Sequence, residues 1–294
     1  LSAIRPSGVG EIPERDAWAF EALKELLVKE KGVDLESYKE KCILRRIYLK
    51  VRLKGYRDLG SYYRKLRRDR DELTELFQYL TINVTEFFRN PTAFEYLERK
   101  ILPDLMAQHN VHGNFNIWSA GCSSGEEPYS LAIILLRVKK NHSIRMPFSV
   151  HATDVDKGIV ERGREGVYSR ETLKNISEED LEEFFVEENG KYRVCEDLRK
   201  HVTFRVGDVL KERPAGKQSL IVCRNLLIYF SRENQEQVIT GFSRALHRGG
   251  YMMLGKAETL IGNSRLFFQN ISPTERVYRL RDMPLADGSS KATL

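Results

Sequence analysis

The stretch Phe115-Asn-Ile-Trp-Ser-Ala-Gly-Cys-Ser-Ser-Gly-Glu-Glu-Pro-Tyr129 decides the fold. Its apolar half, Phe115 to Ala120, reads as a short strand. Gly121 and Gly125 frame a turn of small residues, and a helix then opens with Glu126 and Glu127 in its first turn. Pro128 fits there because first-turn amides have no intrahelical partner. Strand, glycine turn and helix N-terminus is the unit with which a doubly wound α/β domain brings backbone amides to a nucleotide-like ligand. A second signal answers it. Phe148-Ser-Val-His-Ala-Thr-Asp154 reads as the next strand and ends in an acid, placed to take both hydroxyls of a ribose or to cap the helix beginning near Asp156. Cys122, Ser123 and Ser124 fill the space where a pyrophosphate approaches a dinucleotide fingerprint, and the acidic pair repels phosphate but suits a cation. A ribose-bearing sulfonium, S-adenosylmethionine, therefore fits these residues better than NAD.

Working outward, strands and helices alternate downstream, as in a mainly parallel sheet. The expected strands are 115–120, 148–153, 202–207, 219–224, 250–255 and 276–280; the expected helices are 126–139, 156–163 and 232–247, with Gly249-Gly250 stopping the last. Glu187-Glu-Asn-Gly-Lys191 breaks the rhythm as a tight hairpin, so 184–202 is expected to be a small β insertion. Upstream the periodicity is helical. Asp16 is expected to cap a helix with the apolar face Phe20, Leu23, Leu27; a second helix carries Ile43, Leu44, Ile47 and Val51 on one side and Arg46, Lys50 and Lys54 on the other, ending at Gly55. Short helices at 59–66 and 72–80 and a longer one from Pro91 to Met106 follow. The expected organisation is a flexible leader (1–15), an all-helical domain (16–88), a connector (89–114), an α/β domain (115–281) and a disordered tail (282–294).

The chain has 294 residues and a formal charge of +6, very unevenly spread. Residues 41–70 hold twelve Lys and Arg against Asp58 and Asp69, a local +10, which leaves −4 on the rest. One basic segment on a mildly acidic protein points to an acidic partner for that segment, and no nucleic-acid motif accompanies it. No apolar run reaches the roughly 18 residues of a membrane helix, and Cys42, Cys122, Cys195 and Cys223 lack the pairing of a zinc site or disulfide framework. A cytoplasmic setting is expected. His109 and His112 have no third ligand nearby, so no metal is expected.

Further polar residues gather at predicted strand ends. Asp208, with Val209, is placed to read an adenine amino group or to cap a turn; Asn225 and Tyr229 follow the strand that ends at Cys223. In Thr81-Ile-Asn83-Val-Thr85-Glu-Phe-Phe-Arg89, Arg89 is suited either to orient an acceptor carboxylate or to form an interdomain ion pair. A rival reading also exists. Gly121-Cys-Ser123-Ser-Gly125 matches the nucleophile elbow of α/β-hydrolases, with Asp208 and His247 in the required order, but the paired acids sit where an oxyanion hole needs positive potential.

Taken together, Leu44-Arg45-Arg46, Asn83-x-Thr85-x-Phe-Phe-Arg89, Trp118-Ser-Ala-Gly-Cys-Ser-Ser-Gly-Glu-Glu-Pro-Tyr-Ser130, Ala152-Thr-Asp154, Cys223-Arg-Asn-Leu-Leu-Ile-Tyr-Phe230 and Leu254-Gly-x-x-Glu258 resemble, in that order, the CheR-type chemotaxis-receptor glutamate methyltransferases. The resemblance implies a class I S-adenosylmethionine-dependent methyltransferase sheet (Rossmann-like) with a small inserted β-subdomain, preceded by an all-α domain. It implies cofactor contacts from Asn83, Thr85, Arg89, Gly121, an acid of the Glu126–Glu127 pair, Asp154, Asp208, Val209, Asn225 and Leu226, with Arg89 and Tyr229 flanking the transferred methyl and S-adenosylhomocysteine as product. It also implies that the basic helix, through Arg45, Arg46, Lys50, Arg52 and Lys54, faces acidic helices of a chemoreceptor, with no metal, nucleic acid or membrane insertion and a monomeric enzyme. Two departures stand out: Gly255-Lys-Ala-Glu258 replaces the Gly-His-Ser-Glu common in the family, and the inserted hairpin is short, which implies action without a receptor pentapeptide tether. A cofactor-binding regulatory module acting outside chemotaxis is the alternative.

Overall fold

A computed structural model describes residues 12–81, 85–109 and 115–282, the side chains of 108 and 109 excepted. Most of the expected leader and tail, Asn83, and the His109–His112 side-chain pair thus lie outside the described residues. The chain divides into two units, Leu1–Val84 with Tyr229–Asn234, and Thr85–Ile228 with Gln235–Leu294.

The first unit is helical: α1 (Glu14–Lys31), α2 (Glu40–Leu53), α3 (Leu59–Leu66) and α4 (Arg70–Thr81). Phe20, Leu23 and Leu27 of α1 are buried with Ile43, Leu44, Ile47 and Val51 of α2, the faces that their three- and four-residue spacing selects. Asp16 is not a cap. α1 starts at Glu14 behind Pro13, and Asp16, 1% exposed, accepts the Leu59 N–H (3.2 Å) and the Tyr48 hydroxyl (3.1 Å). It thereby ties α1 to the first turns of α3, which Asp58 caps through a reciprocal box with Ser61.

The basic side of α2 needs a similar correction. Lys50 is 7% exposed and pairs with Glu75 at 2.7 Å; Lys54 pairs with Glu72 and Glu75; Arg46 donates to the Tyr79 carbonyl and stacks over its ring. Lys50 is thus buried against α4 and Arg46 is held over Tyr79, while Lys54 is paired with α4 but stays exposed. Arg45 and Arg52 are exposed. Within this unit the Tyr229 carbonyl accepts the Lys39 N–H (2.7 Å), and Tyr38 bridges Phe230.

The second unit holds a seven-stranded sheet of β1 (Phe115–Ala120), β2 (Phe148–Asp154), β6 (Val202–Val206), β7 (Gln218–Cys223), β8 (Leu246–Leu254), β9 (Phe268–Ser272) and β10 (Val277–Leu280), in the order β6-β2-β1-β7-β8-β10-β9. β6 to β8 run parallel; β10 and β9 are antiparallel. α7 (Glu126–Asn141), α8 (Lys157–Glu165) and α10 (Arg232–Ala245) cross between strands. β7 is buried at every position and β1 at all but Asn116, as a central parallel strand covered on both faces must be. The chain leaves β1 toward β2 and β6, then returns to place β7 on its other side, so the crevice at the C-terminal end of β1 is the topological switch point.

The helix expected from Pro91 to Met106 is α5 (Pro91–Tyr96), a π turn (Leu97–Ile101) and α6 (Leu102–His109), which bury Phe94, Leu97, Ile101, Leu102, Leu105 and Met106 in the core of this unit. Two expectations shift. Gly249-Gly250 does not stop a helix but lies inside β8, which begins at Leu246 opposite Gln218 and absorbs a register shift before Tyr251. The small sheet, β3 (Val167–Ser169), β5 (Lys191–Val194) and β4 (Phe185–Glu188), draws its third strand from outside 184–202; Asn189-Gly190 forms its two-residue turn. Between β3 and β4 lies α9 (Glu178–Phe184), which the alternation did not suggest.

Asp16→Ala is expected to lower stability by about 2 kcal/mol, because it leaves a buried N–H and a hydroxyl without an acceptor. Asp16→Asn, which keeps one acceptor oxygen, costs less. The thermal midpoints of the two variants check the order, and an unchanged midpoint for Asp16→Ala contradicts the assignment.

Candidate active site

The turn after β1 adopts a conformation that few sequences tolerate. Gly121 (φ +80°), Ser123 (φ 49°) and Gly125 (φ +100°) are all left-handed, and the Gly121 and Cys122 N–H groups both donate to the Thr153 carbonyl at the tip of β2. The two glycines are required by space as well as by φ. A Cβ on Gly121 would lie 2.8 Å from Leu226, and one on Gly125 2.7 Å from the Tyr168 hydroxyl. That hydroxyl donates to the Ser124 carbonyl at 2.7 Å, so the small sheet holds the turn from one side while the loop after β7 closes on it from the other.

Around this turn four carboxylates lie wholly or largely out of water. Glu126, 2% exposed, takes the Ser124 hydroxyl on both oxygens and is also bonded by the Thr85 side chain. Glu127 accepts from Ser119 at 2.8 Å and lies 3.7 Å from the guanidinium of the buried Arg224. Asp154 accepts the Ser123 N–H on one oxygen (3.0 Å) and the Asp156 N–H on the other (3.1 Å). Glu258, 3% exposed, collects the backbone N–H groups of Gly255 (2.6 Å), Leu227 (2.7 Å), Asn225 (2.9 Å) and Ile228 (3.4 Å). Burial pushes all four carboxyls above their ordinary range, against the opposing pull of these donors.

Most of the residues singled out in the sequence converge here. Gly121, Glu126, Glu127 and Asp154 line the ends of β1 and β2. Asp208 and Val209 follow β6, anchored by the Gly207 N–H on the Asp154 carbonyl. Asp208 also accepts the Leu210 N–H and pairs with Lys211 at 3.5 Å, so it shapes its own turn. Asn225 (φ 60°) and Leu226 follow β7. Thr85 and Arg89 belong to a segment pinned along its length: Glu86 to Lys174 (2.6 Å) and Asn175, Phe87 N–H to the Thr172 carbonyl, Phe88 N–H to the Ser130 hydroxyl. Tyr229 groups with the helical unit. The basic residues of α2 belong to that unit too.

Arg224 and Glu258 were missed as site residues. Both stood inside quoted motifs, but a buried arginine and a carboxylate that serves only backbone N–H groups leave no periodic trace. The hydrolase reading fails on topology. His247 lies at the start of β8, at the opposite edge of a parallel sheet from Ser123, and the Ser123 hydroxyl has no hydrogen-bond partner among the described residues.

The Asp154 carboxylate is held by backbone N–H groups of Ser123, Asp156 and Val155, which still leaves acceptor capacity on its two oxygens for a ligand hydroxyl. The carboxylates outnumber Arg224 and Arg89, so the crevice favours a cationic ligand over a phosphate. The glycine cradle admits a ligand against bare backbone. These features fit S-adenosylmethionine, and the residues expected to hold it are those gathered at this strand end.

The fold and this crevice define a class I S-adenosylmethionine-dependent methyltransferase domain, here accompanied by an all-helical domain. Residues 83–277 match the family model described as CheR methyltransferase, SAM binding domain, and residues 18–81 match CheR methyltransferase, all-alpha domain. The chain belongs to the CheR methyltransferase family. It is 37% identical over 231 residues to a chemotaxis protein methyltransferase of Listeria monocytogenes, spanning 78% of this chain and 86% of that one. A chemotaxis protein methyltransferase of Borreliella burgdorferi is 31% identical over 242 residues (80% and 86%), and chemotaxis protein methyltransferase 1 of Pseudomonas aeruginosa 31% over 247 residues (82% and 90%).

Gly125→Ala is expected to weaken S-adenosylhomocysteine binding by about tenfold or more, since the added carbon must displace the Tyr168 hydroxyl and the residue must still hold a left-handed φ. Asp154→Ala is expected to do the same by removing the ribose acceptor. Calorimetry checks both, and unchanged affinity in either variant contradicts the placement of the cofactor.

Proposed function

We propose that this protein transfers methyl groups from S-adenosylmethionine to glutamate side chains on the cytoplasmic helices of chemoreceptors, forming glutamyl methyl esters. The observation that carries this reading is the carboxylate-lined crevice at the end of β1, in a chain of the CheR family. When bound, S-adenosylmethionine supplies an electrophilic methyl group. An acceptor glutamate is already ionised near neutral pH, so the protein needs no strong general base. Its task is positioning: Arg89 steers the acceptor carboxylate, Tyr229 aligns the reacting groups, and the crevice holds them in attack geometry. The product lacks one negative charge on a receptor helix, and that change is the signal.

The acceptor helices meet the outer face of α2. Lys41, Arg45 and Arg52 are exposed along one stripe with Leu49 (41% exposed) and Leu53 (68%), a basic and apolar combination suited to an acidic amphipathic helix. Lys50 and Lys54 support this face from behind through α4. The two-residue turn at Asn189-Gly190 favours action without a pentapeptide tether. The enzyme is taken to work as a cytoplasmic monomer. A second reading, a cofactor-binding module that acts outside chemotaxis, draws on the Gly255-Lys-Ala-Glu258 stretch, in which Lys256 reaches the Thr92 hydroxyl (3.2 Å).

The test is transfer of labelled methyl from S-adenosylmethionine to membranes carrying the chemoreceptors of the same organism, followed by alkaline release. Base-labile label on receptors is expected, reduced about tenfold or more in the double variant Arg45→Glu/Arg52→Glu with S-adenosylhomocysteine affinity unchanged. No receptor label despite tight S-adenosylhomocysteine binding favours the second reading.

A further inference from the structure

Arg224 has no role in the proposed chemistry, yet few side chains of the unit are more closely held. It projects from the end of β7 with its side chain 2% exposed, between Glu127 (3.7 Å) and the ring of Phe94 (5.3 Å). Its Nη2 donates both to the Arg89 carbonyl (2.7 Å) and to the Asn90 side-chain oxygen (2.8 Å). The backbone it grips is strained. Phe88 (φ 49°) and Asn90 (φ 59°), on either side of Arg89, are both left-handed, and such a conformation is uncommon for a bulky aromatic residue. A backbone of this kind persists only where its surroundings over-determine it. On the N-terminal side the Phe88 N–H is fixed by Ser130, whose hydroxyl is itself bonded to the Glu126 carbonyl; on the C-terminal side the grip comes from Arg224.

Burying an arginine is costly unless its charge is met and its donors are used. Glu127 meets the charge. Nη2 is spent on the Arg89 carbonyl and the neighbouring Asn90 side chain, which set where the Arg89 side chain starts, while the buried Nε has no hydrogen-bond partner among the described residues. Lysine offers a comparable charge and three donors, but on one nitrogen at the end of a flexible stem; it lacks the planar fork that puts Nη2 on its two acceptors, Nη1 toward Glu127 and a flat face against Phe94.

We propose that Arg224 is a positioning residue for methyl transfer: braced by Glu127, it fixes the backbone at Arg89 and Asn90 and so holds the Arg89 side chain at the reacting centre. The inference rests on the role given to Arg89 above, and it identifies what places that side chain. It also gives Glu127 a task other than touching the cofactor, and leaves Glu126, beside Thr85, as the acid of the pair nearer the ligand-binding turn.

The experiment compares Arg224→Lys, Asn90→Gly, Arg89→Ala and Arg89→Ala/Arg224→Lys in the full chain. Arg224→Lys is expected to lower kcat on the order of 10²-fold with KM for S-adenosylmethionine nearly unchanged, because misplacement near the chemistry costs rate and not affinity. The double variant is expected to be no slower than Arg89→Ala alone, since the two residues act as one unit. Asn90→Gly, which tolerates the left-handed φ but removes one acceptor, is expected to lower kcat in the same direction and covers the case in which Arg224→Lys fails to fold. Hydrogen exchange supplies a readout that needs no acceptor: amides of 86–92 lose protection in Arg224→Lys while those of β1 and β7 keep theirs. Wild-type turnover in Arg224→Lys, independent additive losses in the double variant, or unchanged exchange at 86–92 overturns the proposal. A wild-type enzyme that labels no receptor, or a fully active Arg89→Ala, instead sinks the functional reading, and the exchange result then decides on Arg224 by itself.

Discussion

Carboxylates removed from water must be given hydrogen-bond donors, and the C-terminal edge of the sheet is arranged around that demand. Glu258 is the plainest case: its two oxygens gather four backbone N–H groups and thereby shape the loop after β7, including the left-handed Asn225. Asp154 similarly binds the turn after β1 to the end of β2, and Glu126 with Ser124 and Thr85 binds that turn to the incoming segment. Each acid fixes a loop, and the loops together make the crevice. The residual negative charge then becomes the electrostatic character of the site, favourable to a sulfonium and unfavourable to a phosphate.

The helical unit uses charge differently. Its basic segment divides between an inner face, where α4 supplies Glu72, Glu75 and Tyr79 to Arg46, Lys50 and Lys54, and an outer face left to Arg45 and Arg52. The inner pairs are mostly half-exposed and add little individually to stability. Their consequence is geometric, since they hold α2 against α4 and leave its opposite stripe available to a partner.

Much of this was legible in the sequence because it rests on local rules. Apolar periodicity located α1 to α4, and the run Phe115 to Ala120 followed by Gly121 and Gly125 located β1 and the ligand turn to the residue. The Asn189-Gly190 pair announced its hairpin. What escaped was set by tertiary partners. Asp16 looks like a cap until Leu59 and Tyr48 arrive to claim it; Lys50 looks solvated until α4 covers it. Gly249-Gly250 has the look of a helix stop, and only pairing of Leu246 with Gln218 makes it part of a strand. β9, an edge strand reading Phe-Gln-Asn-Ile-Ser, has too little apolar pattern to be seen without β10 beside it. Arg224 and Glu258 belong with these, because their meaning lies in backbone groups distant in sequence.

The central claim is that buried, partly protonatable carboxylates adapt this crevice to a cationic cofactor. Burial raises the carboxyls of Glu126, Glu127, Asp154 and Glu258, so they take up protons at a higher pH than exposed acids do, and a bound cation favours their ionised forms. The most direct measurement is calorimetric affinity for S-adenosylmethionine and for the uncharged-sulfur product S-adenosylhomocysteine as pH is lowered from neutrality toward the ordinary carboxyl range. The account predicts that S-adenosylmethionine loses affinity more steeply than S-adenosylhomocysteine. Parallel curves for the two ligands would contradict it.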